Sequence, residues 1–235
     1  MASGKAKGSF GVKALSYIAE KRMERRLGRT LNSDTDARPL SWGHLLEKHV
    51  FDQLGLEYRL QSHETIEHSS IDWWCGSPDA MKFGDEMTVV DFKAPYTLKA
   101  FCELVDPLYE GKSGEEVIAA IRENHEHGEK YYWQILSNAI LTGAKYGELI
   151  VYAPFVSELE AIRELSRNWS GDKQHRFRWV DYAADDELTH ILDGGFYKSI
   201  NIVRWEISEQ DKKDLTVRVT EAGKELVKIE QAVTA

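Results

Sequence analysis

Gly76-Ser77-Pro78-Asp79, followed a short way on by Val89-Val90-Asp91-Phe92-Lys93-Ala94-Pro95, is the part of the sequence that decides the fold. The second stretch is an apolar run ending in charge, bounded by proline, as a buried strand would be. Strand side chains alternate faces, so Asp91 and Lys93 point one way and Phe92 the other. Asp79 is expected at the end of a preceding strand, Ile71 to Asp79, with Gly84-Asp85 turning the chain into Met87 to Lys93. If the two strands pair, two carboxylates and one ammonium converge. Neighbouring acids repel unless a cation lies between them, and such an oxygen set suits a hard divalent ion that keeps several waters. That chemistry fits metal-assisted hydrolysis of a phosphodiester, with Lys93 placing or deprotonating the attacking water. A D-x-K triplet by itself is usually a surface edge. The apolar Val89-Val90 lead-in and the Pro-Asp before the turn favour a used site, because charge at the end of an apolar strand is costly.

Working outward, Ala14 to Leu27 reads as a basic amphipathic helix and Leu31 to Pro39 as a loop. Ser41 is expected to cap a helix through Trp42, Leu45, Leu46 and Val50 that Gly55 ends. Glu57 to Ile66 reads as a strand. Ser113-Gly-Glu-Glu116 is a capping box, and Gly128 separates its helix from Tyr131 to Leu141. Glu148 to Ala153 is a buried strand, Glu158 to Asn168 a helix, Arg176 to Tyr182 a strand, Asp185 to Leu192 a helix and Ile200 to Ile207 a strand. Ser208 to Val227 closes as a helix with Leu215, Val219, Ala222 and Leu226 on one face. This order predicts a mixed α/β sandwich.

The 235 residues, 42% hydrophobic and 29% charged, suffice for one sizeable core. No apolar run approaches the ~20 residues of a membrane span, and Met1 to Lys13 has no secretory core. Two cysteines, Cys75 and Cys102, cannot build a four-cysteine metal site, and a reduced cytoplasmic setting is expected. The net charge of −9 hides an asymmetry: residues 1–30 hold eight basic side chains against Glu20 and Glu24, so the remainder carries −15. That basic arm is either a phosphate-binding surface or a solvated helix end. Arg22, Arg25 and Arg26, with Ser41 or Ser77, are candidates for a terminal phosphate. His125-Glu126-His127, with His63 and His68, reads as a solvated loop, and Cys75 beside Trp74 as a packed thiol. Trp73, Trp74, Trp133, Trp169, Trp179 and Trp205 are expected mostly in the core, with one or two open to stacking on bases.

Ser77-Pro78-Asp79 and the apolar strand ending Asp91-Phe92-Lys93-Ala94-Pro95 resemble the core of the PD-(D/E)XK nuclease superfamily, and within it the lambda-exonuclease or YqaJ-type branch, related to RecB-type nuclease domains. Trp42-Gly43-His44-Leu45-Leu46-Glu47 resembles that branch's early helix with its glutamate, and Tyr131-Tyr132-Trp133-Gln134 its later glutamine. The likeness covers about 41–154. It departs from the branch in having Asp91 where Glu is frequent, and Ser137-Asn138 after the glutamine. The resemblance implies a restriction-endonuclease-like α/β core, a central mixed sheet flanked by helices. It also implies one nuclease domain over 1–235, made of a basic arm at 1–30, a catalytic core at about 41–154, and 155–235 completing it. Glu47, Asp79, Asp91 and the Phe92 carbonyl would hold one or two Mg²⁺ ions, with Mn²⁺ able to substitute. Lys93 would serve the water, and Gln134 would orient substrate or lysine. By residue type alone, Glu47 is a solvated helix acid and Gln134 a satisfied core amide. The resemblance further implies a 5′-to-3′ exonuclease on linear duplex DNA, encoded by a phage or prophage and working in recombination in the bacterial cytoplasm. A single-strand annealing partner and a ring-shaped homo-oligomer belong to the same picture. The alternatives are a restriction or nicking endonuclease, and a DNA-binding module without chemistry.

Overall fold

The computed structural model describes residues 10–31, 37–60, 65–170 and 174–231, with main chain only at 60 and 228–231; Lys5, Lys7 and His63 lie outside this set. In chain order the elements are α1 (Val12–Leu27), α2 (Arg38–Phe51), β1 (Tyr58–Leu60), β2 (Ile66–Glu67), β3 (Cys75–Gly76), β4 (Ala80–Lys82) and β5 (Thr88–Lys93). They continue with α3 (Leu98–Tyr109), α4 (Gly114–Asn124), α5 (Gly128–Thr142), β6 (Tyr146–Tyr152), α6 (Leu159–Arg167), α7 (Arg178–Tyr182), β7 (Ile200–Glu206) and α8 (Glu209–Gln231), with single 3₁₀ turns at Val156–Glu158, Gln174–Arg176 and Asp185–Glu187.

The chain divides into two compact units. One comprises α1, the segment His68–Trp74 and α8. Ile18 of α1 packs with Ala222 and Leu226 of α8, and Phe10 closes the end of the contact. Trp73 lies so close to α8 that a Cβ on Gly223 would fall 1.8 Å from its indole. The α8 helix starts where Ser208 Oγ accepts the Asp211 N–H at 3.2 Å.

The second unit is built on a five-stranded mixed sheet in the order β1-β4-β5-β6-β7, in which only β5 and β6 run parallel. The connection between them contains α3, α4 and α5, as a parallel pair requires a crossover. One face carries Val90, Phe92, Ile150 and Tyr152, packed against Trp42, Leu45, Leu46 and Val50 of α2 together with α6 and α7. The other face receives α5: Gln134 reaches Asp91, and Ile135 crowds Gly147. The arrangement is the central mixed sheet flanked by helices that the sequence implied.

Most expected elements are present, and the differences have local causes. The second helix begins at Arg38 with Ala37 as N-cap and Pro39 in the first turn, so Ser41 is a turn inside rather than a cap; the helix ends at Phe51, before Gly55. The 57–66 strand is two short ones in different sheets, and 71–79 is a turn followed by the two-residue β3. Arg176 to Tyr182 is helical, not extended: Phe177 and Val180 are both buried at a spacing of three, and packing on α6 overrides the apparent alternation. Asp185 to Leu192 yields one 3₁₀ turn. Helix α3 has no counterpart among the expected elements; Thr97 Oγ1 caps it on Ala100 N at 3.2 Å, and Phe101, Leu104 and Val105 are its buried face despite the internal Pro107. The Ser113–Glu116 capping box forms reciprocally. Cys75 is exposed rather than packed. Trp42, Trp74 and Trp205 are core, Trp133, Trp169 and Trp179 are half-buried, and Trp73 is exposed. No described helix is long and apolar enough to cross a membrane.

Candidate active site

The site is built at the end of β5. In the antiparallel pairing of β4 with β5, Ala80 stands opposite Val90, so the residue just before β4, Asp79, stands opposite Asp91. Directly opposed residues project to the same side of a sheet, and two acids there repel. Asp79 therefore precedes a strand, where the sequence placed it at the end of one, yet it meets Asp91 as expected. Its Oδ2 accepts the Phe92 N–H at 2.7 Å, which extends the strand pairing beyond β4.

Asp91 is 1% exposed. Its Oδ1 accepts from Gln134 Nε2 at 2.8 Å, so the amide expected as either core filler or site residue contacts the buried acid directly. Its Oδ2 is in ion-pair contact with Lys93 Nζ and accepts no hydrogen bond of ordinary geometry. Lys93 also donates to the Phe92 carbonyl at 3.0 Å and lies over the Tyr131 ring, 5.1 Å from its centroid. The Phe92 oxygen, expected as a metal ligand, is thus engaged by the lysine. Burial disfavours the ammonium, but Asp91 and Asp79 outweigh it and hold the lysine pKa above its ordinary value. Burial also raises the Asp91 pKa; Lys93 opposes this and Asp79 reinforces it.

Glu47 completes the set from α2, whose apolar residues Leu45, Leu46 and Val50 fix the helix against the sheet. Half-buried, its carboxyl is pushed up to about 7, first by burial and then by Asp79, with Lys93 opposing and Asp91 adding to the effect. Glu47 is therefore not the freely solvated acid its sequence context suggests. His44, one turn earlier, is held below its ordinary pKa by burial and by Arg176, with Asp79 pulling the other way. Arg176 and His44 are site groups that the sequence did not mark: Arg176 lies far along the chain, in a segment misread as a strand. Tyr131 is a third.

The donor set fits a hard divalent cation. The Asp79 charge raises the proton affinity of both Glu47 and Asp91, Asp91 adds to the effect on Glu47, and Asp91 Oδ2 is a buried acceptor without a hydrogen bond. Among the described residues, however, no three ligating side chains are gathered ready around one point, because Lys93 sits on Asp91 and the Phe92 N–H holds Asp79. The geometry is that of a buried acid paired with an internal ammonium, with a second acid tied to the main chain beside it.

The other expected residues fall differently. Ser41 is buried; its Oγ donates to Arg38 O at 3.0 Å and accepts from Trp179 Nε1 at 2.9 Å, so it is a packing residue and not a phosphate contact. Ser77 is exposed two residues before Asp79. Arg22 is half-buried, and Arg25 and Arg26 are exposed, all on α1 in the other unit. His125 is only 7% exposed, which corrects the expected solvated loop, whereas His127 is exposed.

No protein-family model and no curated protein matches the chain. Solved structures do. An alkaline exonuclease from Laribacter hongkongensis aligns at 16% identity with a TM-score of 0.52, over 97% of this chain and 89% of its own. Its complex with dAMP gives 17% and 0.51, over 94% and 86%. A phage-related exonuclease from Haemophilus somnus 129PT gives 14% and 0.59, over 99% and 91%. The chain thus shares its fold, a central mixed sheet flanked by helices, with these exonucleases.

Proposed function

We propose that this chain is a deoxyribonuclease that degrades linear duplex DNA from its ends, 5′ to 3′, with Mg²⁺ or Mn²⁺ as cofactor. One observation carries the reading: Lys93 pairs with the buried Asp91 at a strand end, Asp79 stands opposite Asp91, Glu47 feels the charge of all three, and Gln134 donates to Asp91, in a fold shared with exonucleases. Glu47, Asp79 and Asp91, with the Phe92 carbonyl, would hold one or two ions. When bound, the ion supplies charge neutralisation for the phosphoryl oxygens and acidifies a bound water. The remaining work falls to the protein. Lys93 presents its ammonium beside the acids, where it orients the attacking water and offsets negative charge that develops on phosphorus. Gln134 keeps Asp91 in one rotamer. Asp79, fixed by the Phe92 N–H, keeps the two acids opposed across the strands.

Arg22, Arg25 and Arg26 of the basic arm, with Ser77, are assigned to DNA phosphates. A recombination role for a phage or prophage in the bacterial cytoplasm, alongside an annealing protein and as a ring of identical subunits, completes the reading. The test is digestion of end-labelled linear duplex in Mg²⁺, with 5′-phosphorylated and unphosphorylated ends run beside covalently closed circles. Progressive loss from ends, absent in Lys93→Ala while DNA binding persists, is expected. Cutting of closed circles would instead establish an endonuclease, and no cleavage of any DNA form would leave a binding module.

A further inference from the structure

Tyr131 stands three residues ahead of Gln134 on α5, so the two side chains share the face that looks at Asp91 and Lys93. Its ring packs beside two imidazoles. His125 lies 5.6 Å away, tilted by 32°, and His127 6.1 Å away; the two imidazoles are 6.0 Å apart. The imidazole pair is itself fixed. His125 Nδ1 accepts the His127 N–H at 3.1 Å, and the His125 N–H closes α4 on Ile121 O at 3.0 Å. Gly128 follows at so close an approach that a Cβ would sit 2.0 Å from the same carbonyl.

An ammonium has three N–H donors. Here one side of Lys93 faces the Asp91 carboxylate, another donates to Phe92 O, and the third boundary is the face of an aromatic ring. A further carboxylate in that place would compete for the proton. A ring face attracts the cation without accepting a proton, and so fixes direction while leaving an N–H for water.

We propose that Tyr131 is a positioning residue whose ring, braced by His125 and His127, holds the Lys93 ammonium in the orientation that serves the attacking water; this rests on the reading of Lys93 given above. The hydroxyl has no part in it. The ring does the work, so Tyr131→Phe should behave as the natural protein, whereas Tyr131→Leu frees the lysine to swing.

The experiment uses the full chain with [¹³C]lysine, comparing the natural protein with Tyr131→Phe, Tyr131→Leu and Lys93→Ala, each checked by thermal unfolding. Tyr131→Met replaces the leucine variant if that does not fold. Two quantities are read: kcat and KM on end-labelled linear duplex in Mg²⁺, and the ring-current shift of the Lys93 ε-CH₂ signals, identified by their loss in Lys93→Ala. An ångström of misplacement costs about 10²-fold in rate, so kcat should fall by about that factor in Tyr131→Leu with little change in KM. The upfield ε-CH₂ shift should persist in Tyr131→Phe and vanish in Tyr131→Leu. Natural kcat in Tyr131→Leu, equal losses in the Phe and Leu variants, or an unchanged ε-CH₂ shift in Tyr131→Leu would each overturn the proposal. If Lys93→Ala cleaves as the natural protein does, the reading of Lys93 fails and the proposal with it. The ε-CH₂ shift then still reports whether the ring holds the lysine.

Discussion

The side-chain amide of Gln134 donates to Asp91 Oδ1 at 2.8 Å, which ties α5 to the buried acid at the end of β5. Gln134→Ala leaves that carboxylate oxygen without a donor. A loss of about 1–3 kcal/mol in urea unfolding is expected, together with reduced cleavage. An unchanged unfolding midpoint would show that the amide is dispensable to the fold.

Asp79 and Asp91 face each other across two strands, and opposed like charges destabilise a sheet. Asp79→Asn keeps an oxygen for the Phe92 N–H while removing one charge. It should unfold at equal or slightly higher denaturant than the natural protein in EDTA, by up to about 1 kcal/mol. With Mg²⁺ at about ten times its dissociation constant, the natural protein should gain about 1.4 kcal/mol, and Asp79→Asn much less. The same magnesium gain in both proteins would remove Asp79 from the ligand set.

Glu158 accepts from Gln53 Nε2 and from Tyr152 OH, both at 2.9 Å, and from the Phe155 N–H at 2.7 Å, with His49 close by. Burial works against its charge, but these donors prevail and lower its pKa to about 2. A depressed carboxylate contributes stability above its unfolded pKa, near 4.5, and loses it as pH falls toward 2. After allowance for partial exposure the effect is about 1–2 kcal/mol. Glu158→Gln should therefore flatten the acid limb of stability between about pH 4.5 and 2, and equal slopes in the two proteins would contradict this. Because His49 belongs to the last turn of α2 and Gln53 follows directly after it, cleavage should also fall as Glu47 loses its support.

Ser41→Ala removes the acceptor of Trp179 Nε1–H and should cost about 1–3 kcal/mol without altering affinity for DNA. Weaker DNA binding at unchanged stability would reinstate Ser41 as a phosphate contact.

What the sequence made legible follows from how far each signal reaches. Alternation along β5 put Asp91 and Lys93 on one face, and the Gly84-Asp85 turn brought β4 alongside. Asp79 then met Asp91 even though its strand was misplaced, because the two-stranded register is set locally. Ser41 lies inside the helix rather than at its cap because Pro39 sits in a first turn that begins at Arg38, and its hydrogen-bond donor, Trp179, is 138 residues away. Helix α7 could not be read from its own residues, whose alternation mimics a strand until α6 packs on it. The contact of Tyr131 with Lys93 and the nearness of Arg176 to His44 exist only after the crossover and the C-terminal half have folded.

Lys93 brings a positive charge of the chain's own against the buried Asp91. A buried acid with such an internal counter-ion is compensated by the fold itself. Binding of a further cation at Asp91 is then an exchange of partners rather than the filling of a charged void.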